Sequence, residues 1–249
     1  MRPLTRTASI SPLRAALLPL ALVLAVLLAG CTGGGDDGGS TDTAAVQKRL
    51  DAAKKTIDDA ETVDVSLTTS SVPDGVSGLL SAKGKGNHSP AFEGDVKVSS
   101  GGATLTAKVI AVDGTVYANT GLTPGYLTID PASLKAPDPA GLLDPDSGLT
   151  SILASTEDLR TGDQSRDGRD VLTSVTGTLP GSVVADIIPS ASRQGTFAVT
   201  YRLTDDDELR DAKMTGPFYG EGSKVTYTVT LATSDEPVTI TAPAATGGR

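Results

Sequence analysis

Apolar and polar residues alternate along several stretches in the middle and at the end of the chain. The alternation covers residues 104–111, 197–203 and 224–231. A period of two is typical of a strand that buries one face and leaves the other in water. Turn sequences separate such strands, among them Gly101-Gly102, Asp113-Gly114 and the acidic run at 205–207. The pattern predicts an antiparallel sheet with one apolar face, including a meander over 91–120.

A period near 3.6 marks the segment before these strands. Apolar residues recur there at intervals of three and four positions: Val46, Leu50, Ala53, Ile57 and Ala60. This spacing predicts an amphipathic helix, with Asp42 or Thr43 as its N-cap. Directly afterwards, apolar residues alternate with polar ones over 63–68, which predicts a half-buried strand.

Three shorter segments interrupt the strand pattern and are predicted to be helical. They are residues 139–143, residues 145–154 and residues 181–188. In the second segment, Asp144 stands at the cap position and Pro145 at the first helical position. Each segment is apolar on one side only. Each therefore needs a surface to cover, and the apolar face of the sheet offers one.

The start of the chain has the features of an export signal. It is basic and free of acids, with Arg2, Arg6 and Arg14. The apolar stretch that follows, 15–28, is shorter than the roughly 20 residues that span a bilayer. It leads into Leu28-Ala29-Gly30-Cys31, which resembles the bacterial lipobox, where the thiol receives a diacylglyceryl group and cleavage follows just before the cysteine. A secretory signal with a chance cysteine, or an anchor that is never cleaved, would leave the position of Cys31 unexplained.

These features divide the chain into three parts. Residues 1–30 are predicted to be a lipoprotein signal peptide, residues 31–43 the lipidated cysteine with a flexible Gly/Asp/Ser linker, and residues 44–249 one folded domain. Cys31 is the only cysteine, so the domain has no internal disulfide. Two or more acyl chains on Cys31 would anchor the protein stably. The predicted location is the outer face of the plasma membrane.

The charge balance argues against one class of partner. The chain carries a net charge of −9, and loss of the three signal-peptide arginines leaves about −12, without a basic cluster. Nucleic acid is therefore not an expected partner. An acidic surface also gains nothing from anionic headgroups, so proximity to the membrane has to come from the anchor.

The sequence gives little support to catalysis or metal binding. His88 is the only histidine, and in its Gly- and Ser-rich loop we expect a solvated residue. From it we expect neither a histidine-based triad nor a multi-histidine metal site. The acidic runs at 163–170 and 204–208 lack the EF-hand spacing and are better explained as turns. We predict a protein that is not an enzyme and that uses no cofactor and no metal.

Composition raises a question about packing. Aromatic residues make up 3% of the chain and tryptophan is absent. Small aliphatic side chains beneath short helices can leave space over the middle of a wide sheet, although protein interiors are normally close-packed. A codon preference for Ala, Val and Gly would give the same composition. Composition alone does not decide between a cavity and a filled core.

Several distinct short motifs are spread along the predicted mature chain. They are the strand 94–98 with a Gly-Gly turn behind it, the hairpin 112–114 leading into 116–118, Asp130-Pro131-Ala132, the run 143–149 followed by 152–154, Gly168-Arg169-Asp170, and the last strand before Pro243. Together they resemble the LppX/LprG-type (LppX/LprA/LprF/LprG) lipoproteins of actinobacteria. The run 144–149 is the most specific, because its capping residues and loop length recur as a unit. The chain departs from that pattern in lacking tryptophan, in its acidity and in extra residues around 73–86.

The resemblance implies an α+β fold, in which a single curved antiparallel sheet forms a half-barrel similar to the Lol-type lipoprotein carriers. Short helices would pack on its concave face around an apolar cavity. The implied function is to shelter the acyl chains of multiply acylated lipids during transport to the outer cell envelope. Expected cargoes are a triacylated glycolipid, a phosphatidylinositol mannoside or triacylglycerol. A membrane exporter is an expected partner, and we expect a monomer.

The candidate cavity residues are apolar positions of the predicted strands and helices. On the strands they are Val96, Val98, Leu105, Ala107, Val109, Val116, Phe197, Val199, Tyr201, Val225, Tyr227 and Val229. On the helical segments they are Leu149, Ile152, Leu153, Val184 and Ile187. For each of them ordinary core packing is the commoner role, and residues 142–154 are a candidate gate. The alternative function is a non-enzymatic envelope lipoprotein that docks a membrane transporter without carrying lipid.

Overall fold

The structure is a computed structural model that describes residues 38–122 and 124–244. The signal peptide and Cys31 lie outside this range. The strands are β1 Thr62–Thr69, β2 Gly78–Asn87, β3 Ala91–Ser100, β4 Ala103–Val112, β5 Thr115–Asn119, β6 Leu127–Ile129, β7 Glu157–Asp167, β8 Asp170–Pro180, β9 Thr196–Leu203, β10 Leu209–Gly216 and β11 Val225–Ser234. The helices are α1 Gly38–Asp58, α2 Ser151–Ala154 and α3 Gly181–Ile187, with 3₁₀ turns at Ala132–Leu134 and Gly141–Leu143.

All eleven strands form one antiparallel sheet in the order β6-β5-β4-β3-β2-β1-β11-β10-β9-β8-β7. The chain enters the sheet in the middle at β1, reaches one edge at β6 and crosses to the opposite edge at β7. It then returns to the middle, where β11 pairs with β1. The predicted single antiparallel sheet with short helices is confirmed. Because β6 and β7 are consecutive, the segment between them has to pass from one edge to the other; we call residues 130–156 the strap.

Strand register assigns the side chains to two faces. On β1, Val63, Val65 and Leu67 share one face. The register of the paired strands continues that face across all the strands of the sheet. We call it the inner face, because α1, α2 and α3 pack against it. The outer face carries a small cluster of Ala91, Val112 and Ile240, in which the C-terminal segment covers the meander.

Helix α1 carries the predicted apolar stripe as far as Ile57, but it begins earlier than predicted and ends at Asp58, before Ala60. It starts at Gly38, so Asp42 and Thr43 lie inside it and neither is its cap. All five stripe residues are buried, the first three in one core cluster and Ile57 and Ala60 in another. Arg49 fixes the helix to the β9–β10 turn, because its guanidinium donates to the Thr204 carbonyl at 2.8 Å and pairs with Asp207.

The strap is less helical than predicted. The helices expected at 139–143 and 145–154 reduce to the 3₁₀ turn Gly141–Leu143 and the single turn α2. Between them the Asp144 carboxylate accepts hydrogen bonds from the Ser147 hydroxyl and from the backbone N–H groups of Asp146 and Ser147, which holds a tight turn and lowers the Asp144 pKa. Gly148 closes this turn, and a Cβ there would lie 2.5 Å from two carbonyl oxygens. Asp144 therefore caps a turn and not a long helix.

The meander predicted over 91–120 is confirmed. Strands β3, β4 and β5 are joined by tight turns, and both central residues of the β4–β5 turn, Asp113 and Gly114, have positive φ (52° and 68°). This is the conformation that two-residue hairpins require, and Asp-Gly adopts it readily.

Candidate functional site

The inner face is a continuous apolar surface, and every strand position predicted for the cavity lies on it. One row shows the continuity: Ala107, Val96, Ala82, Leu67, Val229, Ala212, Tyr201 and Val175 are successive register partners across eight strands. The row crosses the β1–β11 seam in the middle of the sheet. Apolar side chains at the same level on neighbouring strands form a surface on which a linear apolar chain can lie.

The part of this face on β8–β11 is covered by protein. Helices α1, α2 and α3 close over it, and eight of the predicted positions are buried in the cluster below them: Ile152, Leu153, Val184, Phe197, Val199, Tyr201, Val225 and Tyr227. Ile187 packs against the cluster and is half-buried. The Phe218 ring lies edge-to-face on Phe197 and on Tyr227, with ring centroids 4.9 Å apart in each pair. These positions form a core in this structure.

The part on β1–β6 is covered incompletely. Val109 and Val116 are buried in a second cluster, against which Val96 packs while partly exposed. Val98 and Ala107 are half-buried, as are Val229 across the seam on β11 and Leu149 on the strap. Leu105 is 41% exposed and Leu127, on the edge strand, 55%. Val96, Val98, Leu105, Ala107 and Val229, together with their neighbours Leu67 and Ala82, form what we call the open strip.

Sequence reasoning missed Leu67 and Ala82, which connect the open strip across the sheet. The alternation around Leu67 was recognised as a strand, but nothing in the sequence shows which strands become neighbours. Ala82 precedes Lys83-Gly84-Lys85-Gly86, where glycines occupy the inner face and no apolar alternation is visible. Only the register of β2 with β1 and β3 reveals their place.

Those glycines make room for two larger side chains. The Phe92 ring lies over Gly84 and Gly94, where an added Cβ would stand 2.6 and 2.9 Å from its Cζ atom. Leu143 of the strap lies over Gly86, with its Cδ1 2.3 Å from the position of such a Cβ. Phe92 and Leu143 therefore fill the end of the inner face near the β2–β3 turn, and the strap supplies one of the two plugs.

Polar contacts hold the strap against α1. The Lys54 ammonium donates to the Pro145 carbonyl at 2.6 Å and forms an ion pair with Asp58. The buried Thr150 hydroxyl donates to Asp58 Oδ1 at 2.8 Å. These bonds bring the strap residues predicted as a gate into contact with helix α1.

His88 is not the solvated loop residue that the sequence predicts. It is half-buried, its Nδ1 lies 2.6 Å from the Leu143 carbonyl oxygen, and its Nε2 lies 2.9 Å from the Ile57 carbonyl oxygen. The glycine-rich sequence around it suggested a solvated loop, but the strap and the end of α1 both come to rest on this turn. His88 therefore joins three elements distant in sequence.

Two tyrosines link the two parts of the sheet near the start of β2, at the end of the strands away from His88. The Leu79 N–H donates to Tyr219 Oη at 3.1 Å, and Tyr227 O–H donates to the Leu79 carbonyl at 2.6 Å. The Tyr219 hydroxyl therefore donates to Tyr227 Oη, 2.6 Å away, which closes a ring of three hydrogen bonds. Burial raises the pKa of Tyr227. We call this group the tyrosine clamp; it ties the β10–β11 loop to β2 beside a register shift at Leu79.

A cleft of about 550 Å³ opens between the edge of the sheet, the strap and α3. Its walls include Val116 and Ile129 from the sheet, and Ile187 and Pro189 from α3 and the loop behind it. Three carboxylates, Asp130, Asp138 and Asp186, stand among its lining residues. The cleft brings together two predicted cavity residues, Val116 on β5 and Ile187 on α3.

Over residues 38–122 and 124–244, no three Asp, Glu or His side chains gather in a way that could hold a metal ion. No helix in these ranges is long and apolar enough to cross a membrane.

A family model described as LppX_LprAFG lipoprotein matches residues 44–240. The chain belongs to this family. The resemblance seen in the short motifs is thereby confirmed.

Named relatives agree with this assignment. The chain is 28% identical over 240 residues to the lipoarabinomannan carrier protein LprG of Mycobacterium tuberculosis, covering 92% of this chain and 95% of the relative. It is 31% identical over 238 residues to lipoprotein LprA of the same organism, covering 88% of each. The crystal structure of LprF from Mycobacterium bovis matches with a TM-score of 0.64 at 19% identity, covering 81% of this chain and 98% of that one. Lipoprotein LppX of Mycobacterium tuberculosis matches with a TM-score of 0.58 at 17% identity, covering 80% and 99%. The two structures show the fold.

Proposed function

We propose that this protein is a membrane-anchored carrier that shelters lipid acyl chains on the inner face of its sheet. The observation that carries the proposal is the open strip, a row of aliphatic side chains that runs unbroken across the sheet and is left partly exposed. A soluble domain rarely leaves such a surface uncovered without a partner for it. The side chains of the strip are aliphatic and uncharged, so the strip suits an aliphatic chain.

The physical need for a carrier follows from the cost of moving acyl chains through water. A lipid with about 30 methylenes, at about 0.8 kcal/mol each, would lose on the order of 24 kcal/mol on leaving a membrane. A protein that covers the chains removes most of this barrier. To release its cargo it has to bind no more tightly than the membrane does, which favours a surface that is only partly enclosed.

Loading requires the covering elements to move. The cleft of about 550 Å³ lies within the range of sites for small ligands. A lipid with several chains needs more room along the open strip. The strap and α3 are the elements that would move apart from the sheet, because both border the cleft and both cross the inner face.

The proposed cargo is a multiply acylated lipid: a triacylated glycolipid, a phosphatidylinositol mannoside or triacylglycerol. The name of the LprG relative, a lipoarabinomannan carrier, supports a glycolipid. A membrane exporter as partner and a monomeric carrier complete the proposal. The seventeen predicted cavity residues then divide into a surrounding core and a smaller contact set in the open strip, to which Leu149 on the strap adds one side chain.

Lipid extraction tests the proposal directly. The non-acylated domain, residues 44–249, is purified and analysed by native mass spectrometry, and it should carry co-purified lipid or take up lipid from vesicles. A domain that is folded yet stays empty after both treatments would contradict the carrier function. That outcome would favour the alternative, a lipoprotein that docks a transporter through its acidic surface.

The anchor is proposed to position the carrier without taking part in binding. Acylation of Cys31 and a short linker would keep the domain beside the membrane that supplies its cargo. In Cys31→Ser the protein should leave the membrane fraction, transport in the cell should fall, and lipid binding by the purified domain should stay unchanged. Fractionation and lipid analysis measure the two effects separately, and loss of binding itself would contradict this division.

A further inference from the structure

His88 lies between two hydrogen-bond acceptors. The Leu143 carbonyl of the strap faces Nδ1 at 2.6 Å, and the Ile57 carbonyl at the end of α1 faces Nε2 at 2.9 Å. A carbonyl oxygen can only accept a hydrogen bond. A neutral imidazole has one N–H and one lone pair, so it can satisfy one of the two carbonyls and presents a lone pair to the other. Only the doubly protonated ring donates to both.

Carboxylates stand near the ring on two of the elements that meet there. On the strap, the Asp144 carboxylate interacts with His88 electrostatically. At the end of α1, Asp59 and Glu61 line a cleft of about 260 Å³ together with His88. Asp59 pairs with Lys55, whereas Asp58 pairs with Lys54. The end of a helix adds its negative dipole on the same side.

The other elements near the ring are the hairpin and the C-terminal segment. On the hairpin itself, Lys85 pairs with Glu93 at 3.4 Å. The C-terminal segment contributes Pro237 and Val238 to the cleft and accepts a hydrogen bond from Asn87 through the Val238 carbonyl. Asp144, Asp59 and Glu61 are therefore the acidic residues on the elements that meet the ring.

We propose that His88 is a protonation-dependent latch that holds the strap and the end of α1 on the same hairpin. Protonated, the ring binds both carbonyls and keeps Leu143 over Gly86. Neutral, it binds only one, and the strap and α1 are no longer joined through it. Histidine changes charge between about pH 5 and 8, so the latch would loosen as the pH rises through this range. Its effect on lipid exchange rests on the proposed carrier function; the latch itself does not.

The test begins with the ring itself. His88 is the only histidine, so nitrogen NMR of the purified domain reports its two ring nitrogens without ambiguity. Both nitrogens should carry protons at pH 5 and one of them at pH 8. Over the same range, amide exchange corrected for its intrinsic pH dependence should show the protection of residues 140–150 falling about tenfold. A ring that keeps one charge state from pH 5 to 8 would overturn the latch.

Two variants separate the latch from ordinary packing. His88→Gln keeps a donor but cannot gain a charge, so protection of 140–150 should be low and independent of pH. Lys54→Met removes a strap contact in which His88 takes no part, so protection should fall at every pH while its pH dependence stays. If His88→Gln keeps the pH dependence of the parent protein, another group is responsible and the inference fails.

Lipid exchange gives a second, separate readout. Transfer of a fluorescent triacylglycerol between vesicles by the domain should be about tenfold faster at pH 8 than at pH 5, and His88→Gln should remove the difference. Transfer without any pH dependence would leave the carrier function standing and overturn the latch. If the amide protection of residues 140–150 depends on pH but the domain transfers no lipid, the latch would stand and the carrier function would be overturned.

Discussion

Val199 and Val96 both point to the inner face of the same sheet, one on each side of the β1–β11 seam, yet they lie in different surroundings. Val199 is 2% exposed, beneath the helices. Val96 is half-buried, and its register partners on both sides, Ala82 and Ala107, are small. The chain thus builds one part of its inner face as a packed core and leaves the other part with room above it.

Aromatic residues follow the same division. Phe197, Phe218, Tyr201 and Tyr227 all lie in the covered cluster, whereas Phe92 is the one aromatic residue in the second cluster over the described residues. A low aromatic content therefore does not mean that the whole interior is loosely filled. The few large side chains stabilise β8–β11, and small aliphatic residues form the surface that is left open.

The comparison suggests that β7–β11 with α1 and α2 serve as a rigid scaffold, while the open strip and residues 130–150 of the strap adapt to a ligand. Elements that move for binding come from the regions with the fewest buried contacts. Residues 130–150 of the strap fit this description, because Ala140 and Leu143 are their only buried apolar side chains and polar contacts with Lys54, Asp58 and His88 hold them in place.

The sharpest test places the same large side chain on both sides of the seam. Val199→Trp overfills a packed core and should lower the free energy of unfolding by about 1 to 3 kcal/mol or more. Val96→Trp adds its ring to a partly exposed surface between the small side chains of Ala82 and Ala107, so the free energy of unfolding should stay within about 0.5 kcal/mol of the parent while most of the bound lipid is lost. Urea titration gives the stability and lipid extraction the occupancy.

Each variant is the control for the other. Both add the same group to a valine on the inner face, so a general intolerance of tryptophan would affect them equally. If Val96→Trp loses as much stability as Val199→Trp, the open strip is a packed core under native conditions and the contrast between the two regions is wrong.

Local structure could be predicted from the sequence where one side of an element is buried. The alternation of β4, β9 and β11 and the stripe of α1 are such cases, because burial of one face imposes a period. Strand β7 shows the limit. Its sequence, Glu157-Asp158-Leu159-Arg160-Thr161-Gly162-Asp163, is exposed at nearly every position because it lies at the edge of the sheet, and no periodicity marks it.

The candidate site could be predicted in part only, for a different reason. Which residues face inward follows from alternation, but which of them are covered depends on where the strap crosses and how far α1, α2 and α3 reach. Those are contacts between residues distant in sequence. His88 illustrates this, because both of its partners, Ile57 and Leu143, come from elements that the sequence around it does not indicate.

A smaller effect is expected at the tyrosine clamp, which joins the two regions across the seam. Tyr219→Phe removes the acceptor of the Leu79 N–H and the donor to Tyr227, and should lower the free energy of unfolding by about 1 to 2 kcal/mol. Tyr227→Phe opens the same ring of hydrogen bonds at another point. Because either change breaks the ring, the double variant should cost clearly less than the two single variants together, as measured by urea titration. Strictly additive losses would mean that the two hydroxyls act independently and that the clamp does not couple the scaffold to the open strip.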